Sequence, residues 1–145
     1  MESLQASVPF QLYVFAAAFT VIKLVFIAFA TIGARTTGKT TTLPEDAKFG
    51  NTVLDAETAT VSRIQRVHRN DLENELPFLA LGLIYALAGA SVRGAAIYFG
   101  VFVAARLLHS VFFLLRLQPW RSLMFVVGAL ALIGMAVGSC LRVIG

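Results

Sequence analysis

The apolar run from Leu76 to Ala90 is fifteen residues long, too short to cross a bilayer, and a dense charged stretch leads straight into it: Arg66-Val67-His68-Arg69-Asn70-Asp71-Leu72-Glu73-Asn74-Glu75. Fifteen helical residues reach about 22 Å, against a hydrocarbon core of about 30 Å. A spanning helix here must borrow about five residues from upstream, which draws Asp71, Glu73 and Glu75 to the membrane edge. Ionised groups are costly there, usually face a bundle interior or a wet cavity, and mark a functional site with partners nearby.

The rest of the chain agrees with a membrane setting. Hydrophobic residues make up 58% of it and charged residues 14%, with a mean hydropathy of +0.80, more apolar surface than a soluble domain of 145 residues conceals. Three further runs, Phe10 to Ala34, Ala95 to Leu115 and Leu123 to Leu141, are long enough to span. The expected fold is all-α: a single domain over 1–145, an integral membrane four-helix bundle with spans at about 10–34, 71–90, 95–115 and 123–141 and a loop at 35–62. Met1-Glu2-Ser3 lacks the basic start of a secretory signal and the first run is too long for a signal core, so that run is expected to be retained as a helix.

Basic residues orient the bundle. Arg35, Lys39, Lys48, Arg63, Arg66 and Arg69 fall in the first loop, and Arg116 and Arg121 in the third. The opposite side holds only Arg93 and Arg142, while Lys23 and Arg106 lie inside spans. The positive-inside bias puts both termini outside or in a lumen and the charged mouth in the cytoplasm, at an inner membrane in a bacterium or the endoplasmic reticulum in a eukaryote. Between Arg35 and Ala59, Gly38, Thr40-Thr41-Thr42, Pro44 and Gly50 read as turns and irregular chain.

Gly33-Ala34-Arg35-Thr36-Thr37-Gly38-Lys39-Thr40 has the spelling of a phosphate-binding loop, but such a loop needs a strand before it and a helix start after it. A membrane helix precedes this one and Thr-Leu-Pro follows, so no nucleotide site is expected. There is no HExxH, no Cys/His ligand spacing and no serine with a base partner, so neither metal nor hydrolytic chemistry is expected. The single Cys140, inside the last span, reads as a small buried residue. Gly134 with Gly138, Gly82 with Ala86 and Ala90, and Gly100 with Ala104 repeat at four residues, as close helix packing in lipid requires. Trp120 reads as an interfacial anchor.

On a helix, Arg63, Arg66, Asn70, Glu73 and Pro77 share one face, while His68, Asp71 and Glu75 form a second line. For His68 and Glu75 a solvated surface role weighs at least as much as a ligand role. For Arg66, Asn70 and Glu73 the ligand role is favoured, because that stripe runs toward the membrane. Arg106, His109 and Phe113 recur at i, i+3 and i+7; Arg106 reads equally as a structural partner of an acid on the second helix and as a ligand contact. Several guanidinium forks, on Arg35, Arg66, Arg69 and Arg121, with Asn70 and Glu73 beside them, suit a small molecule bearing more than one carboxylate and an ammonium. A zwitterionic peptide fits that description better than a lipid, a nucleotide or a metal.

Arg66-Val67-His68-Arg69-Asn70-Asp71-Leu72-Glu73-Asn74, then Pro77-Phe78-Leu79, Arg106-Leu107-Leu108-His109 and Arg121-Ser122, resemble the MAPEG superfamily, membrane-associated proteins in eicosanoid and glutathione metabolism. Val21-Ile22-Lys23, Arg35 and Pro44-Glu45-Asp46 fit the same likeness, which covers nearly the whole chain. Asn70 to Asn74 and Phe125 look like the glutathione transferase branch; His68 to Asp71, Asp46 and Ser122 look like the prostaglandin E synthase branch. The resemblance implies a homotrimer of four-helix subunits with glutathione between neighbours near the cytoplasmic side. It implies glutathione contacts from Arg35, Arg66, Arg69, Asn70, Glu73, His109 and Arg121, with Arg121 and Ser122 near the sulfur and Asp46, Phe113 and Phe125 lining the substrate pocket. Phe113 stands where the family commonly has a tyrosine, so a hydroxyl contact to the peptide is lost. Phe125 stands where the prostaglandin E synthase branch has a tyrosine.

An unperturbed cysteine thiol has a pKa of about 8.5, so a nearby cation is needed to hold it as the nucleophilic thiolate at neutral pH. Arg121, aided by Ser122, is the expected source, and the expected activity is glutathione transfer to an apolar electrophile, or reduction of a lipid hydroperoxide, arriving from the bilayer. Arg121 reads equally as a positive-inside anchor at a helix start. A glutathione-dependent isomerase of the prostaglandin E synthase kind and a non-catalytic lipid-binding scaffold are the alternatives within the family. A small four-helix transporter lies outside it, and would call for an acid deep in a span.

Overall fold

The computed structural model describes residues 7–145, so Met1-Glu2-Ser3, expected to lack the start of a secretory signal, lies outside the described residues. Four helices carry the fold: α1 (Val8–Gly38), α2 (Ala59–Leu87), α3 (Val92–Leu114) and α4 (Trp120–Ile144). Two two-residue strands, β1 (Thr40–Thr41) and β2 (Thr52–Val53), pair in parallel around a 3-10 turn at Pro44–Phe49 and close the α1–α2 connection. The irregular chain expected over 35–59 is thus shorter and more ordered, because α1 runs on through Arg35 to Gly38.

The helix starts follow capping chemistry. Ser7, Thr58 and Ser91 each accept a backbone N–H three residues on, from Phe10, Val61 and Gly94, at 3.3, 3.3 and 3.1 Å. Lys39 takes a left-handed conformation (φ 48°) at the end of α1, and Gly89 (φ 77°) turns the chain after α2, a backbone geometry suited to glycine. The phosphate-loop spelling at Gly33 to Thr40 lies almost wholly inside α1, with helix rather than strand before it.

Among the described residues α1, α3 and α4 are long and apolar enough to cross a membrane. α2 matches them in length, with 29 residues, but its first half is charged. It begins at Ala59, about three turns before the boundary expected near residue 71, and ends at Leu87 rather than 90. α2 packs on the other three helices, α3 does the same, and α1 and α4 do not touch.

The apolar core lies between α2, α3 and α4; in it Phe78 stacks on Phe102 with ring centroids 4.2 Å apart and meets Phe99 edge-on at 5.9 Å. The Tyr13 hydroxyl of α1 donates to the Leu79 carbonyl at 2.8 Å. Small residues make room for rings: a Cβ at Gly82 would meet Tyr13 at 3.2 Å, and one at Gly138 would meet Tyr85 at 2.9 Å. Gly134 likewise receives the Tyr98 ring. The glycine line on α4 therefore seats aromatic side chains of α2 and α3. Gly100, by contrast, faces open space. Cys140 is exposed on α4, a correction to its expected burial.

Candidate functional site

Two polar assemblies occupy the half of the molecule toward the α1–α2 connection. The first is closed. Asp71 of α2 is fully buried, and its carboxylate accepts from Arg106 Nη2 at 2.6 Å and from the Ser110 hydroxyl at 2.8 and 3.0 Å, while Lys23 Nζ lies 3.1 Å away. Lys23 also pairs with Glu75 and donates to Ser110 Oγ at 3.2 Å. Two cations and two anions from α1, α2 and α3 thus form a neutral cluster in which every charge has a partner, the condition for burying ions at all. Arg106 takes the structural side of its two readings. The solvated reading of Glu75 is corrected: its side chain is fully enclosed because the helix turns it toward Lys23.

The second assembly is open. Asn70, His109, Phe113, Arg121, Ser122, Phe125 and Val126 line one cavity of about 330 Å³ between α2, α3 and the start of α4. His109 Nδ1 lies 2.9 Å from the Arg121 carbonyl; since a carbonyl only accepts, Nδ1 carries the proton and donates. The other ring nitrogen, Nε2, is buried with no partner among the described residues. The Arg121 guanidinium sits over the Phe113 ring, 4.6 Å from its centroid, and the His109 ring touches both Phe113 and Phe125. Among the described residues Arg121 has no carboxylate within ion-pair distance. The Gln118 amide, in the orientation that satisfies both neighbours, accepts from Arg121 Nη2 and Nε at 2.5 and 3.1 Å and donates to Ser122 Oγ at 3.1 Å.

Asn70 joins the two assemblies. Its side-chain oxygen accepts from Arg106 Nη2 at 2.7 Å, which turns its amide NH2 away from the buried cluster. Pro77, four residues after Glu73, has no N–H to give that residue's carbonyl, a local interruption of the α2 ladder.

The remaining expected residues lie elsewhere on the single chain. Arg66 and Arg69 line a separate hollow with Ser62 and Gln65, and Glu73 is exposed on the same side of α2. Arg35 and Asp46 line a third, beside Thr41 and Asn51, rather than joining Phe113 and Phe125. Arg35 is paired there with Glu57, which also accepts from Thr42 at 3.4 Å, and Asp46 accepts from the Thr41 hydroxyl at 3.0 Å. Glu57 and Gln118 were not foreseen. Glu57 offered only its charge among several loop acids, and Gln118 only its place three residues before Arg121. Among the described residues no cluster of three or more metal-ligating side chains occurs.

Membrane-length apolar helices and a cavity with one guanidinium in its wall define a membrane-embedded protein whose pocket opens beside a buried charge cluster. Residues 13–141 match the family model of the MAPEG family, and the chain belongs to that family. It is 44% identical over 112 residues to microsomal glutathione S-transferase 1 of Rattus norvegicus, covering 73% of this chain and 72% of that protein. It is 41% identical to the Homo sapiens protein of the same name over the same shares. Prostaglandin E synthase of Equus caballus is 38% identical over 118 residues, 80% of this chain and 77% of that protein. Its relatives thus include enzymes named for glutathione transfer and for prostaglandin E synthesis.

Proposed function

We propose that the protein is a membrane-bound glutathione transferase and peroxidase that holds the glutathione thiol as a thiolate for attack on hydrophobic electrophiles or lipid hydroperoxides. The observation that carries this reading is Arg121: a guanidinium at a cavity wall, braced on a ring face and an amide, with no acid among the described residues to cancel its charge. A cation there favours the ionised thiol, whose proton leaves to water. The thiolate sulfur then bonds to the electrophilic carbon as the leaving group departs with its electron pair. Ser122 donates a hydrogen bond to the same sulfur.

The wider glutathione set would be completed by assembly. Arg66, Arg69 and Glu73 form an exposed stripe on α2, and Arg35 with Asp46 sits in its own hollow, so a homotrimer of four-helix subunits would bring these groups to the rim of a neighbour's Arg121 cavity. Arg35 would then exchange or share its Glu57 partner for a glutathione carboxylate. The positive-inside bias supports termini outside or in a lumen and a site at the cytoplasmic face. Apolar substrates reach it through the bilayer.

A glutathione-dependent isomerase of the prostaglandin E synthase kind is the second reading, favoured by the similarity to those enzymes and by Ser122 beside Arg121. Purified protein in detergent, given glutathione and a chromogenic aryl halide, forms the conjugate under the first reading. Glutathione binding by calorimetry with no conjugation, together with turnover of an endoperoxide, selects the second. No glutathione binding at all refutes both.

A further inference from the structure

Arg121 and Ser122 are adjacent in sequence but do not hold each other; both are held by the side chain of Gln118, one turn earlier. The geometry has two chemical consequences. Gln118 Oε1 takes the Nε–H and one Nη2–H of Arg121, leaving both Nη1 hydrogens and the other Nη2 hydrogen for a guest, out of five donors. Because Gln118 donates to Ser122 Oγ, that oxygen acts as acceptor toward the protein and its own O–H stays free to donate. Phe113 covers one face of the guanidinium and the Gln118 amide fixes its edge, so the side chain loses its freedom to swing into solvent.

A carboxylate at position 118 would pin the guanidinium equally well, yet it would cancel the charge the site depends on. A neutral amide orients it and leaves its field intact.

Resting on the glutathione reading of this cavity, we infer that Gln118 is a positioning residue for thiolate formation: it locks the Arg121 guanidinium and turns the Ser122 hydroxyl toward the sulfur without neutralising either. Gln118 is exposed and makes no core contact, so its substitution leaves the fold standing.

The test uses the full chain in detergent, with glutathione as probe, in the wild type, Gln118→Glu and Gln118→Ala. Glutathione affinity is measured by calorimetry, and the pKa of the bound thiol by the ultraviolet absorbance of its thiolate across a pH series. Gln118→Glu is expected to keep affinity within about threefold while raising the bound thiol's pKa by about one, a tenfold loss of thiolate at neutral pH. Gln118→Ala is expected to raise it by less and to slow conjugation at neutral pH, with the rate recovering in alkali. A residue that only braced the helix start would alter stability and leave the thiol titration in place. Variants that bind glutathione and titrate as the wild type does overturn the inference while sparing the glutathione reading. A wild type that binds no glutathione, or binds it with the thiol at its free value, overturns that reading and the inference with it.

Discussion

Lys23 is the sixteenth residue of a 31-residue helix about 46 Å long, so it sits near the middle of the first span. Its ammonium is 9% exposed and lies between Asp71 and Glu75, with Arg106 completing the balance of two positive and two negative charges. Lys23→Met leaves two carboxylates facing one guanidinium, a net buried charge of minus one. Glu75→Gln leaves the opposite imbalance. Removing one partner of a buried pair costs about 3–5 kcal/mol, and each single variant is expected to lose that much stability. The double variant restores neutrality, because Arg106 and Asp71 still pair and a methionine now packs beside an amide. It should therefore lose less than the sum of the two by about 1–3 kcal/mol, the coupling expected of groups in direct contact. Unfolding the four proteins in mixed micelles by titration with dodecyl sulfate gives the cycle directly. Losses that add to within about 0.5 kcal/mol would refute the argument, since independent sites behave that way and a balanced cluster does not.

Four further outcomes are expected. Arg121→Ala should let the bound thiol return toward its ordinary pKa of about 8.5, so that conjugation at neutral pH falls tenfold or more and the gap closes above that pH; an unchanged pH profile would remove Arg121 from thiolate stabilisation. Phe113→Tyr restores a hydroxyl at the cavity wall and should tighten glutathione binding by about 0.5–1.5 kcal/mol, roughly two- to tenfold, in calorimetry; unaltered affinity would mean the ring edge does not reach the peptide. Gly134→Ala puts a methyl into the Tyr98 ring and should cost about 1–3 kcal/mol in the same micelle titration. Gly100→Ala, with nothing within 4 Å of its Cβ, should stay within about 0.5 kcal/mol of the wild type.

The apolar helices α1, α3 and α4 were legible because length and hydropathy act locally: a run long enough to span a bilayer must be helical to satisfy its backbone. Helical spacing also placed Arg66 and Asn70 on a shared face of α2 and His109 and Phe113 on one of α3. What spacing could not resolve was the depth at which each face lies. Glu75 and Glu73 differ by two positions and point to opposite environments, one sealed against Lys23 and the other exposed, and only the packing of α1 on α2 decides which. The start of α2 was misjudged for a related reason. Residues 59–70 are polar and so lack a membrane signal, yet the Thr58 cap and the buried Val61 and Val67 hold them helical. Gln118 was invisible because a neutral amide in a turn carries no pattern; its role follows from the hydrogens it takes from Arg121.

The neutrality of the buried cluster and the charge of the open cavity depend on each other. Asp71 follows Asn70, and Asn70 lines the cavity, so an uncompensated Asp71 carboxylate would lie close enough to oppose formation of an anion there. Lys23 and Arg106 cancel that field, and Arg106, through its 2.7 Å bond to Asn70, also fixes the orientation of the amide at the cavity. Arg121 is then left as the dominant charge at the wall. A lysine in the first helix, touching none of the groups at the cavity, thus contributes to the condition under which a thiolate could persist in it: with the interior charges summed to zero, the Arg121 guanidinium in the cavity wall acts unopposed from within the subunit.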